Sequence, residues 1–431
     1  MQERTRALAA PLRSAVFRRF WAAGVLTELG DWAARLALSV LVYAESGSAT
    51  LTGLVTAVGL LAWVGPGQLL ATLADRLSRR VVMVTCDLLR AGVFAIAAVG
   101  VPLPVLIGLV FLSGLATPPA EAAAAAVRAD LVPEDQVPAV HTLTGVASDS
   151  ALLLGSALGG VLVSALGSAG ALWFNAGCFV LSAWLLIGVP TPPAGPRRPA
   201  PLRRAAHTLW STPYIRRSVL LATIGTASST AATAMLAPYV LGDLSGGAGT
   251  TAAVGAAAAA VTIVLTLTVV PHRPDQALQL RVIALLTLGG GLLLLLIALP
   301  PGLAVLLVSL AGAGALSVVL VPASALVGPM LPGDIRASAF SLLMGGLAAA
   351  QALAAGGVGA LADLVGTGPA VALFSVPSVL AGVYHLLVPL AVESGQAVPD
   401  EQEELPAQGL VGADPPERQA APAEQPRASS A

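Results

Sequence analysis

The chain has 431 residues, of which 56% are hydrophobic and only 10% charged, and its mean hydropathy is +0.85. Those values exclude an ordinary water-soluble domain and make lipid the solvent for most of the chain. All 22 basic residues are arginine, so no phosphate-loop lysine exists for ATP-driven work, and a formal net charge of −1 leaves no basic domain for nucleic acid.

A spanning helix needs roughly 20 mostly apolar residues. The sequence predicts about twelve, near 20–43, 50–71, 81–100, 103–127, 139–165, 169–189, 218–241, 249–270, 280–299, 302–331, 337–362 and 367–391. A β-barrel is excluded because Leu103 to Leu115 is nearly continuous apolar sequence, without the alternation of barrel strands. The expected fold is an all-α polytopic membrane protein. Basic residues flanking spans stay on the cytoplasmic side. Arginines sit in the amino terminus (1–19), the second-to-third loop, at Arg128, in the linker 190–217, and at Arg273, Arg281 and Arg336, whereas the intervening loops carry none. Both termini are therefore expected in the cytoplasm. The first apolar run is too long for a cleaved signal and is expected to remain as the first helix.

The first helix places Glu28, Asp31 and Arg35 at i, i+3 and i+7 on one face. A charge at mid-membrane costs at least about 2.5 kcal/mol on insertion scales, so these side chains are expected to face partners or a wet cavity. A self-contained Asp31–Arg35 pair is the structural alternative to a transport role. Between the second and third helices runs ATLADRLSRR, from Ala71 to Arg80, and the third helix begins CDLLRAG, with Asp87 and Arg90 one turn apart. Arg79 and Arg80 also suit simple anchoring at anionic headgroups. For Asp87 and Arg90 a structural pair or part of a gate is expected rather than a substrate site.

ATLADRLSRR resembles the signature loop of the major facilitator superfamily: a Gly, three residues, Asp-Arg, one residue, a Gly and two basic residues. Asp75, Arg76, Arg79 and Arg80 match it, with Ala71 and Ser78 in place of the glycines. The resemblance extends over the helical chain, since FRRFWAAGVLTELGDWAARLAL and CDLLRAG are similar to the first and third helices of the drug- and siderophore-exporting branch. It implies two six-helix bundles, 20–189 and 218–391, and makes Asp75 a cytoplasmic gate residue that pairs with an Arg and a helix amino terminus.

Glu121 in the fourth helix and Asp149 in the fifth have no basic neighbour one turn away. A carboxyl buried without a cation holds its proton more readily, which a proton-carrying residue needs. Asp31, Glu121 and Asp149 are thus candidate proton sites, with Glu28 behind them; pairing of Glu121 with Arg128 is the alternative. LGSALGG, from Leu154 to Gly160, resembles the fifth-helix motif of the superfamily's antiporters through Gly155, Gly159 and Gly160, though small residues also serve plain helix packing.

TPPAGPRRPAPLRR divides the chain at the linker 190–217, ahead of an amphipathic segment with Leu209, Trp210, Tyr214 and Ile215. Beyond it, between Val219 and Leu361, helix interiors offer mainly Ser, Thr, Gly, Gln351 and Tyr239. Such a lining suits a hydrophobic or amphiphilic small molecule. The Pro-, Ala- and Gln-rich tail 392–431 is acidic and reads as disordered. Cys86 and Cys178 fall in spans and the four His residues are scattered, so no disulfide, metal site, cofactor or catalytic constellation is expected. Arginine-only, Ala/Gly/Pro-rich usage suggests a high-GC bacterial gene and hence the bacterial cell membrane.

The expected function is proton-coupled efflux of a hydrophobic drug or metabolite by alternating access, through a monomer. An importer, a proton-independent facilitator or a transport-inactive sensor with a tail-bound partner are the alternatives.

Overall fold

The protein is described by a computed structural model over residues 10–74, 77–133, 136–190, 202–269, 276–332 and 335–388. Within them every regular element is helical, as a chain in hydrocarbon requires for its backbone donors. The first half comprises α1 (Ala15–Ser46), α2 (Ala49–Trp63), α3 (Pro66–Ala74), α4 (Arg79–Ala98), α5 (Leu103–Leu131) and α6 (Val137–Ile187). A short α7 (Leu202–Ser211) leads to α8 (Pro213–Ala234), α9 (Ala248–Val269), α10 (Gln276–Leu295), α11 (Leu303–Val318), α12 (Leu320–Met330), α13 (Arg336–Val365) and α14 (Thr367–Leu387). Ten helical stretches among the described residues are long and apolar enough to cross a membrane, and the protein is a multi-pass membrane protein.

Two departures from the expected spans have local causes. The first helix starts at Ala15 because Ser14 Oγ accepts a hydrogen bond from Phe17 N, 3.3 Å away, and caps it. The fifth and sixth expected spans form the single long element α6, which turns at Gly167; its φ of 73° and ψ of 175° are open to glycine alone. The amphipathic segment also divides. Leu209 lies in α7, whereas Tyr214 and Ile215 open α8 after Pro213. Leu209 and Ile215 share a buried cluster with Val327, Leu331 and Ile335, while Trp210 is 55% exposed. The tail 392–431 lies outside the described residues.

The halves meet through α2 against α13 and α6 against α9. Their closest approaches lie toward the arginine-free end. A side chain at Gly53 would strike the carbonyl of Ala355, one at Gly359 would lie 3.2 Å from Gly53 Cα, and Gly160 faces Ala252. Small residues let these backbones touch where lipid supplies no hydrophobic drive between helices.

Candidate charge site in the amino-terminal half

Asp31 on α1 is paired with Arg90 on α4, its Oδ2 accepting from Nη2 at 2.7 Å. The sequence suggested partners one turn away, Arg35 for Asp31 and Asp87 for Arg90; the fold instead joins the two residues across helices. Arg90 is held from two further sides. Its Nε donates to Ser113 Oγ at 3.4 Å, its guanidinium lies 4.2 Å from the Phe179 ring centroid, and that ring stacks on Phe94. A guanidinium fixed by a carboxylate, a hydroxyl and an aromatic face is well suited to burial, because each face of the ion replaces lost water.

Asp87, 5% exposed, accepts from Ser182 Oγ at 2.6 Å. Glu28 accepts from Ser148 Oγ at 2.9 Å. Arg35 sits over the neighbouring Trp32 ring at 4.6 Å. Glu121 is exposed, yet protein atoms surround it on most sides. Glu28, Asp31, Arg35 and Arg90 all lie within its electrostatic reach, and Arg128 is coupled to both Glu28 and Glu121. Pro118 and Pro119, just before it, bring no backbone N–H to α5 and loosen the helix there.

The fold thus gathers Glu28, Asp31, Arg35, Asp87, Arg90, Glu121 and Arg128 into one network from α1, α4 and α5. Four acids face three arginines. Asp149 belongs to α6, but its side chain lies outside the described set. Asp75 and Arg76 of the signature loop also lie outside it. Arg79 is ion-paired with Asp130 at the end of α5, and Arg80 Nη1 donates to the carbonyl of Ile187 at 3.4 Å. Both arginines therefore fasten the ends of helices within their own half. Gly155 and Gly159 seat α6 on α1, where added side chains would lie 2.7 Å from Leu29 O and Ala33 Cα respectively.

Ser113, Ser148, Phe179 and Ser182 were invisible to sequence reasoning, since lone hydroxyls and aromatics are ordinary in apolar helices. Tyr239, expected among the polar interior groups, is 1% exposed and belongs to the hydrophobic core of the second half. The surface grooves lie elsewhere. One of about 700 Å³ runs between α4 and α6 past Leu88, Gly92, Trp173 and Trp184, and one of about 290 Å³ lies beside Arg80 and Ile187. No network charge lines either groove. Among the described residues no cluster of His, Cys, Asp and Glu is arranged to hold a metal ion.

The profile described as Major Facilitator Superfamily matches residues 20–319. No curated protein matches the chain in sequence. Three solved structures share the fold. A bacterial homologue of the human lysosomal transporter Spinster, inward-facing and unoccupied, is 14% identical over 87% of this chain and 95% of its own, with a TM-score of 0.65. A POT family transporter in complex with a thioalcohol-conjugated peptide is 13% identical over 86% and 95%, with a TM-score of 0.69. The nucleoside transporter NupG is 16% identical over 87% and 99%, with a TM-score of 0.64.

Proposed function

The chain belongs to the Major Facilitator Superfamily, and from that membership and the charge network we propose that it exports a hydrophobic or amphiphilic small molecule in exchange for inward-moving protons. It is a membrane transporter rather than an enzyme. The observation that carries the coupling is the surplus acid. With all groups ionised, the four carboxylates of Glu28, Asp31, Asp87 and Glu121 exceed the three guanidiniums of Arg35, Arg90 and Arg128 by one, so binding one proton neutralises the set. Asp31 is committed to Arg90 and Asp87 to Ser182. Glu121, which is exposed and which no described hydrogen bond holds, is left as the group that takes the proton up and gives it away. Glu28, whose one described hydrogen bond comes from Ser148, is its relay partner.

Twelve spans with both termini in the cytoplasm follow on this reading, counting α1 as a span and dividing α6 at Gly167. The arginine-free end is then outward. Contacts between the halves there fit one stage of an alternating-access cycle in which one half rocks against the other. An apolar substrate is supported by the second half, whose helix interiors offer hydroxyls and small residues but no arginine.

Proton movement in inverted membrane vesicles, followed with a pH-sensitive dye while a panel of lipophilic compounds is added, tests the reading. Wild type should release protons on adding a transported compound, and Glu121→Gln should lose that release while still binding the compound. Compound movement without proton release in the wild type would replace the antiporter with a facilitator.

A further inference from the structure

Asp363, near the end of α13, meets the first turn of α2 from across the two halves. Its Oδ1 accepts from Ala49 N at 2.9 Å, and its Oδ2 accepts from Thr50 N at 3.0 Å and Ser48 Oγ at 2.8 Å. The Ser48 hydroxyl in turn accepts from Leu51 N at 3.2 Å. The first-turn donors of α2 at Ala49, Thr50 and Leu51 are therefore all served, two of them by a carboxylate belonging to the opposite half. A helix amino terminus carries unpaired N–H groups and the positive end of the helix dipole, so an anion there is held by charge as well as by hydrogen bonds.

The surroundings make the contact close. The Thr50 hydroxyl donates to the Gly359 carbonyl at 3.3 Å, and Gly359 and Gly53 leave room for α13 and α2 to touch. The two helices run antiparallel: α2 begins where α13 ends, and farther along Ser341 donates to Gln68 at 3.4 Å.

The sequence around Asp363 resembles that around Asp75. Leu73-Ala74-Asp75 closes the α2–α3 stretch and Leu361-Ala362-Asp363 closes α13, with Ala71 and Gly359 four residues before each Asp and Ser78 and Gly366 three residues after. Asp75 lies outside the described residues, so the resemblance enters as sequence alone.

We propose that Asp363 is a positioning residue of the transport cycle, the latch that holds the outward mouth shut by capping α2. Opening that mouth draws α2 away from α13, and all three contacts must break together. The proposal rests on the alternating-access reading above, but its test needs neither substrate nor proton gradient.

Spin labels are placed in pairs in full-length protein whose Cys86 and Cys178 have been replaced. Positions 45 and 299 report the outward side and positions 77 and 210 the inward side; all four native residues are exposed. Asp363→Asn should shift the ratio of outward-closed to outward-open molecules by roughly tenfold, lengthening the outward distance while the inward distance shortens. Asp363→Glu should restore the wild-type distributions. Ser48→Ala, which removes one contact and leaves the backbone donors, should shift them in the same direction by less, and it decides the matter if Asp363→Asn does not fold. Unchanged distances in Asp363→Asn and Ser48→Ala would overturn the latch. Simultaneous broadening of both pairs would overturn it too, by showing a merely structural contact. Loss of proton release with an intact distance response would count against the coupling reading and leave the latch standing.

Discussion

The two halves of this transporter handle polarity in opposite ways. In the first, α1, α4 and α5 bring full charges into the membrane and satisfy them across helices, as Asp31 does with Arg90 and Asp87 with Ser182. In the second, cross-helix contacts in the helix interiors join neutral groups: Ser228 meets Ser378 at 2.8 Å and donates to the Phe374 carbonyl, and Ser229 meets Ser317 at 2.7 Å. Charges of the second half, such as Asp243 and Asp363, stay near helix ends. The difference separates two tasks. On the proposed reading, the ionic network stores and moves charge at a high cost in desolvation, whereas the hydroxyl pairs fix helix positions at little cost and leave an apolar wall for a substrate.

The largest test of that contrast removes the central cation. Arg90→Ala leaves the half-buried Asp31 without its partner and empties the space against Phe179, which should destabilise the protein by roughly 3–5 kcal/mol. Thermal unfolding in detergent reads the loss. Asp31→Asn combined with Arg90→Ala should recover part of it, because the orphaned charge is gone. If the double variant is no more stable than Arg90→Ala, the pair is not the unit that holds α1 to α4.

A smaller effect is expected from putting a charge where the fold has none. Ser378 is fully buried, and its described hydrogen bonds are with Ser228 and the carbonyl of Ile224. Ser378→Asp should lower stability by about 2.5–3.5 kcal/mol, the cost of an unpaired charge within a spanning helix. Normal thermal stability in this variant would mean that the second half also holds a cation within reach, and the contrast between the halves would fail.

Particular residues show where the sequence was legible. Apolar runs matched the ten long apolar helices closely because membrane thickness fixes helix length and lipid leaves the backbone no alternative. Charged residues inside those runs, Glu28, Asp31, Arg35, Asp87, Arg90 and Glu121, stood out for the same reason. Their pairing did not. The i, i+3 and i+4 rule looks only along one helix, whereas Arg90 finds Asp31 59 residues away through a helix packing that no local spacing encodes. The Asp363 contact was hidden more deeply, since it joins residues 314 positions apart and its resemblance to the sequence around Asp75 is partly disguised by Ala71 and Ser78.

The mildest change refines what the hydroxyl pairs do. Ser229 and Ser317 join α8 to α11, and neither carries a charge that the membrane must be made to accept. Interhelical hydrogen bonds of this kind average about 0.6 kcal/mol, because a hydroxyl freed in lipid returns to its own helix carbonyl. Ser229→Ala should therefore cost less than about 1 kcal/mol in thermal unfolding and leave proton release per transported molecule unchanged, while relative transport of different lipophilic compounds shifts. A change in proton stoichiometry instead would place part of the coupling in the second half. The charge network of α1, α4 and α5 would then be one half of a larger circuit rather than the whole of it.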